Sequence, residues 1–436
     1  MKRRILLLTV ALGLILCACS LVGEVPAEPP GGEEPPEPLS LYVVTSYGGD
    51  DGSRSDFEAA VRGYEAATGV RVVDGSATSS EAWKTKVLTD FLTGSEPDVL
   101  FFFTNADADP IINARRVVSI EEIRGIYPDY AANMKESMLA EGADGLHYAV
   151  PATGYWENLF VNKAVLEECG VAIPGPDYTW DQFLLDCETI RAHGYTPLAC
   201  SLFQVPHYLF EFAVMNNGSL QNHLETPSLD ETGTLVDNEA SRKWIAALED
   251  IRMLYERGFL PENTLTATDT ETVTMFAEGE AAFMIDGSWQ VGYLTERYGD
   301  NLSDYVIAYV PAKGERQATE AVGGISMGYF ITRRAWEDPE IRSAAVEFVS
   351  YLTGDDVLST FVKTEVTALL NGASPVGLNA LEESAAEANA NLTGVTGAVQ
   401  DTITPEAKSD LFANIQKVVT GRMTAEEAVA SAARHN

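Results

Sequence analysis

The stretch LSLYVVTSYGG, residues 39–49, is an apolar run that ends in a glycine-rich loop, and this pattern predicts a buried β-strand. The next segment, 53–69, has apolar residues at helical spacing, a Ser55/Glu58 capping box near its start and Gly69 at its end, which predicts a helix. A strand, a helix and a strand are predicted to follow at 70–73, 81–94 and 97–103. This order predicts a doubly wound α/β layer.

Polar and aromatic side chains follow the strands of this predicted layer. Ser46 and Tyr47 follow the first strand, and Asn105 follows the strand that ends at position 103. Ligands of doubly wound layers bind beyond the carboxyl ends of the strands, so these three residues are candidate ligand contacts. Trp83 lies in the first turn of the helix at 81–94, close to the same ends, and both core packing and ligand contact stay open for it.

Helices dominate the rest of the chain. A Thr179/Gln182 capping box begins one of them, and Asp338 and Pro339 begin another. Helices are predicted at 179–194, 238–258, 338–354, 404–421 and 424–436.

The composition excludes some classes of protein. With 436 residues, about two domains are expected, and 46% hydrophobic against 22% charged residues argues against global disorder. The formal net charge of −36 repels phosphate backbones, so nucleic acid is not an expected partner.

The start of the chain is typical of export. A basic start precedes the apolar run 5–18, which is shorter than the roughly 20 residues that a spanning helix needs. The motif Leu16-Cys17-Ala18-Cys19 resembles the lipobox of bacterial lipoproteins. This predicts a signal peptide at 1–18 and lipid attachment at Cys19, with an ordinary signal peptide as the alternative. A tether rich in proline and glutamate follows at 19–39.

Three more cysteines, Cys169, Cys187 and Cys200, remain in the mature chain. An odd number without a CxxC motif argues against a disulfide framework, although one disulfide among the three stays open. Cys187 lies on the apolar face of a predicted helix and is expected to be a small buried hydrophobe.

Neither a metal site nor a cofactor is expected. The five histidines form no HExxH or other close pair, and no GxGxxG or Walker loop occurs. The segment 324–328 fits GxSxG, but a strand, and not the helix of a nucleophile elbow, is predicted to follow it. Gly324 and Ser326 are therefore expected to bring backbone close to a ligand, without catalysis.

Seven segments between about residue 40 and residue 430 together resemble the sequence of a known family. In chain order they are FEAAVRGYEAATGVRV, LTGSEPDVLFF, YAVPATGYWENLFVNKAVLEECGV, YTWDQFLLDCETIRAHGYTPLA, MFAEGEAAFMIDGSW, VGGISMGYFIT and AAVEFVSYLTGDD. In this order, behind a lipobox, they resemble the extracellular solute-binding proteins of ABC importers, in the class that includes the maltose- and other carbohydrate-binding proteins.

The resemblance implies a two-lobed α/β fold of the periplasmic-binding-protein kind (type II), in which each lobe is a β-sheet flanked by helices. Crossings between the lobes are expected near His147–Pro151, near Tyr309–Pro311 and around Leu352–Thr364. Lobe one then comprises 40–149 and 312–355, and lobe two comprises 152–308 and 365–436. Closure of the lobes on a ligand would bend the chain at these crossings.

The resemblance also implies ligand-binding residues. The family delivers an aromatic side chain to the cleft after a GEAAM-like strand, and Trp289 in FAEGEAAFMIDGSW matches it, with core packing as the alternative. Asp286 in the same segment is expected to bond the ligand, and Asn105 after PDVLFFFT matches a polar position of the first lobe. An aromatic face with carboxylate or amide edges suits sugars, which have apolar C–H faces and polar rims.

Two further segments match binding positions of the family. Trp156 in GYWENLFVNK matches a ligand contact, with core packing as the alternative, and Tyr155 and Glu157 flank it. His207 in FQVPHYLF matches an aromatic contact of the maltose-type proteins, where Val205 replaces a frequent acid. This departure argues against maltose as the ligand.

The sequence thus predicts a binding protein and not an enzyme. The protein is expected to be a monomer, lipid-anchored at the outer face of a bacterial cell membrane, extracellular or periplasmic. There it would capture a mono- or oligosaccharide or a polyol and deliver it to the transmembrane subunits of an ABC permease. The alternatives are a tethered extracellular carbohydrate-active enzyme and a structural or adhesive lipoprotein.

Overall fold

The structure, a computed structural model, describes residues 38–49, 51–373 and 377–436. The predicted signal peptide, Cys19 and nearly all of the tether lie outside the described residues, so lipid attachment stays a prediction. In the part of the chain that is described, no helix has both the length and the apolar character needed to cross a membrane.

The described residues form eleven strands and sixteen α-helices. The strands are β1 (Ser40–Val44), β2 (Arg71–Asp74), β3 (Val99–Phe103), β4 (Val150–Pro151), β5 (Tyr155–Asn162), β6 (Thr196–Ala199), β7 (Ala281–Gly287), β8 (Tyr305–Ala308), β9 (Glu320–Gly324), β10 (Met327–Ile331) and β11 (Gly394–Thr396). The helices are α1 (Arg54–Thr68), α2 (Glu81–Thr93), α3 (Asp109–Asn113), α4 (Ile120–Arg124), α5 (Lys163–Cys169), α6 (Trp180–Ala192), α7 (His207–Asn216), α8 (Glu239–Glu256), α9 (Asp269–Ala277), α10 (Trp289–Tyr298), α11 (Arg333–Glu337), α12 (Pro339–Leu352), α13 (Asp355–Phe361), α14 (Ala380–Ala390), α15 (Pro405–Val419) and α16 (Ala425–Ala433). Short 3-10 helices occupy Ala106–Ala108, Glu136–Met138, Gly299–Asp304 and Val399–Thr402.

The first sheet has the strand order β2-β1-β3-β10-β4. β1 runs parallel to β2 and to β3, and α1 and α2 connect these strands, so the predicted doubly wound start is confirmed. β10 is antiparallel and comes from far along the chain, with Met327 opposite Phe103. Alternate residues of β3 face different cores, since Phe101 packs in one hydrophobic cluster and Phe102 in another.

The second sheet has the order β11-β9-β5-β7-β6, with β8 also paired to β5. β5 is its centre and runs antiparallel to β7, β8 and β9. The largest hydrophobic cluster surrounds this sheet and includes Trp244 of α8, Leu381 of α14 and Leu411 of α15. The late helices of the chain therefore pack with the second sheet.

The chain passes from the first sheet to the second between Pro151 and Tyr155, beside the crossing expected at His147–Pro151. It returns between Gly324 and Met327, which is later than the crossing expected at Tyr309–Pro311. The physical reason is that β9 bonds to β5, with Gly324 opposite Tyr155. Residues 312–324 thus lie with the second sheet and not, as predicted, with the first.

The last passage is also later than the sequence suggested. Phe361 and Leu369 pack in a core of the first sheet, and Leu381 packs in that of the second. The chain therefore crosses after Leu369, whereas the expected crossing was around Leu352–Thr364. The division into lobes at these passages remains a prediction.

Local signals set most helix ends. Gly69 ends α1 in the left-handed conformation, with φ of 74°, as predicted. The capping box predicted at Ser55 and Glu58 is wrong, because α1 already begins at Arg54. The Glu58 carboxylate accepts instead from Nε of Arg54 at 2.7 Å.

The cysteine thiols are all free within the described residues, so no disulfide joins Cys169, Cys187 and Cys200. All three are buried, and Cys187 is fully enclosed in the core of the second sheet. The prediction that Cys187 acts as a small buried hydrophobe is confirmed.

Candidate functional site

Loops of the first sheet meet helices that pack with the second sheet, and the region where they meet is called the cleft below. Gly52, in the loop after β1, touches α10 so closely that a Cβ built on Gly292 would lie 2.8 Å from the Cα of Gly52. Nζ of Lys408, on α15, lies 3.0 Å from Oδ2 of Asp107, which follows β3. The carboxyl ends of β1 and β3 therefore border this region, and ligand binding by their loops stays a prediction.

Three aromatic rings form one wall of this cleft. Trp289 begins α10 directly after β7, and its ring centroid lies 6.2 Å from that of Tyr155 and 5.9 Å from that of Tyr208. The indole folds back over Gly287, where a Cβ would lie 2.1 Å from it, so only glycine fits at that position. The sequence thus brings the predicted residues Trp289 and Tyr155 together.

Carboxyl groups line the cleft beside these rings. Asp286 is 1% exposed and its carboxyl oxygens accept from the backbone N–H of Gly287 at 2.7 Å and from Gln290 Nε2 at 3.2 Å. Burial, and then the neighbouring carboxylate of Asp269, raise the pKa of Asp286 well above its usual range. Asp286 and Asp269 also border a common small cavity with Tyr208.

Glu157 of β5 is 2% exposed. Burial raises its pKa, and the carboxylates of Glu211, Asp286 and Asp401 raise it further. Asp401 itself has a pKa raised to about 6, because burial outweighs the attraction of nearby lysines. The second sheet thus contributes several acidic groups with little countercharge.

Glu211 fixes the position of Asp401. Its fully buried carboxylate accepts from the backbone N–H of Val399 at 2.7 Å, from that of Gln400 at 3.0 Å and from Nε2 of His223 at 3.0 Å. These bonds hold the 3-10 helix at Val399–Thr402 against α7, and Asp401 belongs to that 3-10 helix.

The first sheet contributes Asn105 and Asp107. Oδ1 of Asn105 accepts from the backbone N–H of Asp107 at 3.0 Å, which begins the 3-10 helix after β3. The preceding loop is fixed by Thr104, whose N–H donates to the backbone oxygen of Ser326 at 2.8 Å. Ser326 thus shapes the Asn105 loop through its backbone, and a strand follows it, so the prediction against a nucleophile elbow holds.

His207 begins α7 at the edge of the cleft. Its ring lies parallel to that of Phe412, with centroids 5.6 Å apart. Burial, together with Lys84 and Lys408, lowers the pKa of His207 to about 3, so the imidazole is neutral at physiological pH. A neutral imidazole offers one hydrogen-bond donor and one acceptor.

Four buried polar atoms of predicted site residues have no hydrogen-bond partner among the described residues: Trp83 Nε1, Asn105 Nδ2, Glu157 Oε2 and His207 Nδ1. An unpaired buried polar group costs roughly 1–3 kcal/mol, so native proteins keep few of them. A polar ligand between the two sheets would offer partners to such atoms.

Some predicted contacts lie elsewhere. Trp156 is 4% exposed, stacks on Phe160 and donates its N–H to Oγ1 of Thr364 at 3.0 Å. It therefore packs in the core of the second sheet instead of the cleft, because neighbouring residues of a strand point to opposite faces. Trp83 packs on Phe102, which favours the core alternative for most of its ring.

Three more predicted positions are also largely enclosed. Tyr47 stacks on Phe101, with centroids 4.8 Å apart, and is 6% exposed, while Ser46 is 5% exposed. Gly324 ends β9 with φ of 140°, a conformation that favours glycine. These positions shape the cleft boundary more than they line it.

The sequence did not reveal Tyr208, Asp269, Glu211, Asp401 and Lys408 as cleft residues. They come from helices and a 3-10 turn that carry no motif, and only the tertiary fold brings them together. Only Tyr208 could have been suspected from the sequence, because it directly follows His207, which was a predicted ligand contact. Within the described ranges, no three His, Cys, Asp or Glu side chains are placed to hold a metal ion.

A family model described as bacterial extracellular solute-binding protein matches residues 50–358. No curated protein matches the chain.

Solved structures share the fold at low identity. A chitin oligosaccharide binding protein is 18% identical, covers 91% of this chain and 98% of its own, and has a TM-score of 0.77. The maltose/maltodextrin-binding domain from Bdellovibrio bacteriovorus bound to maltotriose is 19% identical, with 91% and 98% covered and a TM-score of 0.70. A solute-binding protein in complex with raffinose is 18% identical, with 91% and 98% covered and a TM-score of 0.70. The predicted two-lobed α/β fold is confirmed.

Proposed function

The chain belongs to the bacterial extracellular solute-binding proteins, and we propose that it captures a carbohydrate outside the cell by closing two lobes around it. The family consists of binding proteins and not of enzymes, so no bond of the solute is made or broken. The captured sugar then passes to the transmembrane subunits of an ABC permease. Attachment to the membrane through a lipid on Cys19 is part of this proposal, as is a monomeric state.

The wall formed by Trp289, Tyr155 and Tyr208 is the observation that carries the proposal. Its rings offer apolar faces of the size of a pyranose ring, and the carboxyl group of Asp286 lies beside them. Sugars combine apolar C–H faces with polar rims, so they fit a site with aromatic faces and polar edges.

The ligand would supply the free energy of closure. Asn105 comes from the first sheet, while Glu157 and His207 come from the second, and each has a buried atom without a partner. A ligand that bonds groups on both sides binds the closed form better than the open form, and only such a difference shifts the equilibrium towards closure. We assign these three residues to the ligand's polar rim.

Solved structures of the same fold support the carbohydrate class. Those proteins bind chitin oligosaccharide, maltotriose and raffinose. These ligands are sugars of more than one ring, which suits a cleft that runs between two sheets.

Thermal unfolding of the full-length chain with sugars, polyols, amino acids and phosphate esters tests the proposal. A ligand that binds only the folded protein adds about 2.7 kcal/mol of stability at a hundredfold excess over Kd. We expect one class of carbohydrate to raise the Tm, with no product formed. A rise with amino acids or phosphate esters alone, or steady cleavage of a sugar, would contradict the proposal.

A further inference from the structure

Four carboxyl groups, those of Asp269, Asp286, Glu157 and Asp401, surround the three aromatic rings of the cleft. We propose that the captured carbohydrate carries a protonated amino group, which binds between Asp286, Glu157 and the face of Trp289. This inference rests on the proposed function and names the chemistry of its ligand.

The charges around the cleft do not balance. The charged group that acts on Asp286 is the carboxylate of Asp269, and those that act on Glu157 are Glu211, Asp286 and Asp401, all of them acidic. The carboxylate of Glu211 is already occupied, because it accepts from two backbone N–H groups and from His223. The acidic groups nearest Trp289 therefore lack a cation of the protein itself among the described residues.

The two lysines at the cleft form ion pairs with Asp107 and not with the carboxyl groups near Trp289. Lys84 and Lys408 both lie 3.0 Å from Oδ2 of Asp107, on the side of the first sheet. Lys84 also lies over the ring of Phe103, 4.0 Å from its centroid. Their attraction reaches Asp401, whose pKa they lower, but neither acts on Asp286 or Glu157.

Glu157 provides an independent sign of a ligand. Its Oε2 is buried without a hydrogen-bond partner among the described residues, and the side chain faces Tyr155, Asp286 and Asp401. A carboxylate oxygen accepts hydrogen bonds only, and an ammonium group has three donors and no acceptor. Charge-assisted bonds of this kind are about twice as strong as neutral ones.

The aromatic rings complete the match. The indole of Trp289 is flanked by two tyrosines within 6.2 Å, and a cation within about 6 Å of a tryptophan centroid is attracted by the ring. A sugar ring stacked on the indole would direct its amino group to the adjacent carboxylates. The apolar face and the cation of an amino sugar are thus both accommodated.

A neutral sugar fits this charge distribution less well. Its hydroxyls can bond to these carboxyl groups, but they carry no positive charge, so the carboxyl groups would stay protonated and no charge-assisted bonds would form. Burial and neighbouring carboxylates hold the pKa of Asp286 and of Glu157 high, and an ammonium group would lower both. Binding of an amino sugar should therefore release protons.

Isothermal titration of the full-length chain at pH 7.5 tests the inference. The probes are glucosamine and its β-1,4-linked oligomers of two to four units, against the N-acetylated and the glucose oligomers of equal length. We expect the amino form to bind at least tenfold tighter than either counterpart. Titration in two buffers of different ionisation enthalpy should show proton release with the amino form alone.

Two variants test whether Asp286 causes the preference for the amino form. Asp286→Asn should remove the preference for the amino form, and Asp181→Asn, an exposed carboxylate of α6, should keep it. Equal or tighter binding of the N-acetylated or glucose oligomers to the unaltered protein overturns this inference and leaves the proposed function standing. Binding of none of these oligomers also overturns this inference, while the thermal-unfolding panel of sugars and polyols decides the proposed function. If Asp286→Asn does not fold, the test is the proton release of the unaltered protein: release with the amino form alone supports the inference, and no release overturns it.

Discussion

Lys408 on α15 and Asp107 after β3 form a buried ion pair that joins the two sheets across the cleft, with Nζ 3.0 Å from Oδ2. Lys408 is 2% exposed, and Lys84 holds the same carboxylate from the side of the first sheet. Burial alone would raise the pKa of Asp107, but the two lysines together lower it. The carboxylate is therefore charged and attracts a cation from the opposite sheet.

Replacement of Lys408 by methionine should loosen the contact between the sheets. Asp107 keeps its ion pair with Lys84, so we expect the free energy of unfolding to fall by about 1.5–3 kcal/mol, which is typical of the loss of one hydrogen bond to a charged group. Small-angle X-ray scattering without sugar should give a larger radius of gyration. Lys417→Met, on an exposed position of the same helix, is the matched control. An unchanged radius for Lys408→Met would show that the pair does not hold the cleft closed.

Gly292→Ala should block closure without weakening the helix that carries it. The added Cβ would lie 2.8 Å from the Cα of Gly52, a clash that only separation of the sheets relieves. Alanine favours a helix interior over glycine by about 1 kcal/mol, so the Tm without sugar should not fall. Affinity for the sugar should fall about tenfold or more, which is 1.4 kcal/mol.

Gly299→Ala is the control for this change, since nothing lies within 4 Å of a Cβ at the end of the same helix. Equal affinities of the two variants, measured by calorimetric titration, would rule out the contact of Gly52 with Gly292 as part of the closed state.

Trp289→Ala should weaken sugar binding about tenfold or more, because each 1.4 kcal/mol of lost stacking changes Kd tenfold. Trp289→Phe keeps an aromatic face between Tyr155 and Tyr208 and should retain most of the affinity. Fluorescence or calorimetric titration compares the three proteins. If the alanine variant binds as tightly as the unaltered protein, Trp289 is not a ligand contact.

Glu211→Gln should destabilise the protein by about 1–3 kcal/mol. The amide keeps the shape, but its NH2 group then faces a backbone N–H of Val399 or Gln400, donor against donor. Urea unfolding should show a lower midpoint, and sugar affinity should fall as Asp401 moves. The exposed Glu406→Gln supplies the comparison, and equal midpoints of the two variants would contradict the role of Glu211.

Asp51→Asn should stabilise the protein at neutral pH. Mainly through burial, and against the attraction of Arg54, the pKa of Asp51 is raised to about 6. A raised pKa in the folded state favours the protonated form, so stability is highest below the unfolded pKa and is lost as pH rises through 6. A pKa raised from 3.8 to about 6 corresponds to a loss of about 3 kcal/mol of stability at most.

The difference in Tm between Asp51→Asn and the unaltered protein should therefore be large at pH 7.5 and small at pH 4.5. The amide oxygen can still accept from the N–H of Ser53, as Oδ1 of Asp51 does at 2.9 Å. If the difference in Tm does not depend on pH, the gain in stability does not come from removal of the charge of Asp51.

Local pattern predicted the elements of the first sheet well, because β1, β2 and β3 have short apolar runs separated by helices with clear ends. Pairing between distant segments left no such signal. Nothing in the sequence near Gly324 shows that β9 pairs with β5, so the passages between the sheets were expected too early.

Of the predicted site residues, Trp289 and Asp286 come from a single segment, and the structure places both beside Tyr208. Trp156 was misplaced because a match of position does not tell which face of β5 a residue occupies. Asp401 and Lys408 were missed because their place depends on the packing of α15 and of the preceding turn against the rest of the fold.

Strand β10 lies between β3 and β4 but is synthesised only after every strand from β5 to β9. The first sheet therefore cannot be completed on the ribosome until most of the chain has been made. Contacts between such distant segments fold slowly, since loop closure costs entropy before any contact forms. We expect the newly made chain to stay unfolded long enough to be threaded through a secretion channel, so the topology itself favours export over premature folding in the cytoplasm.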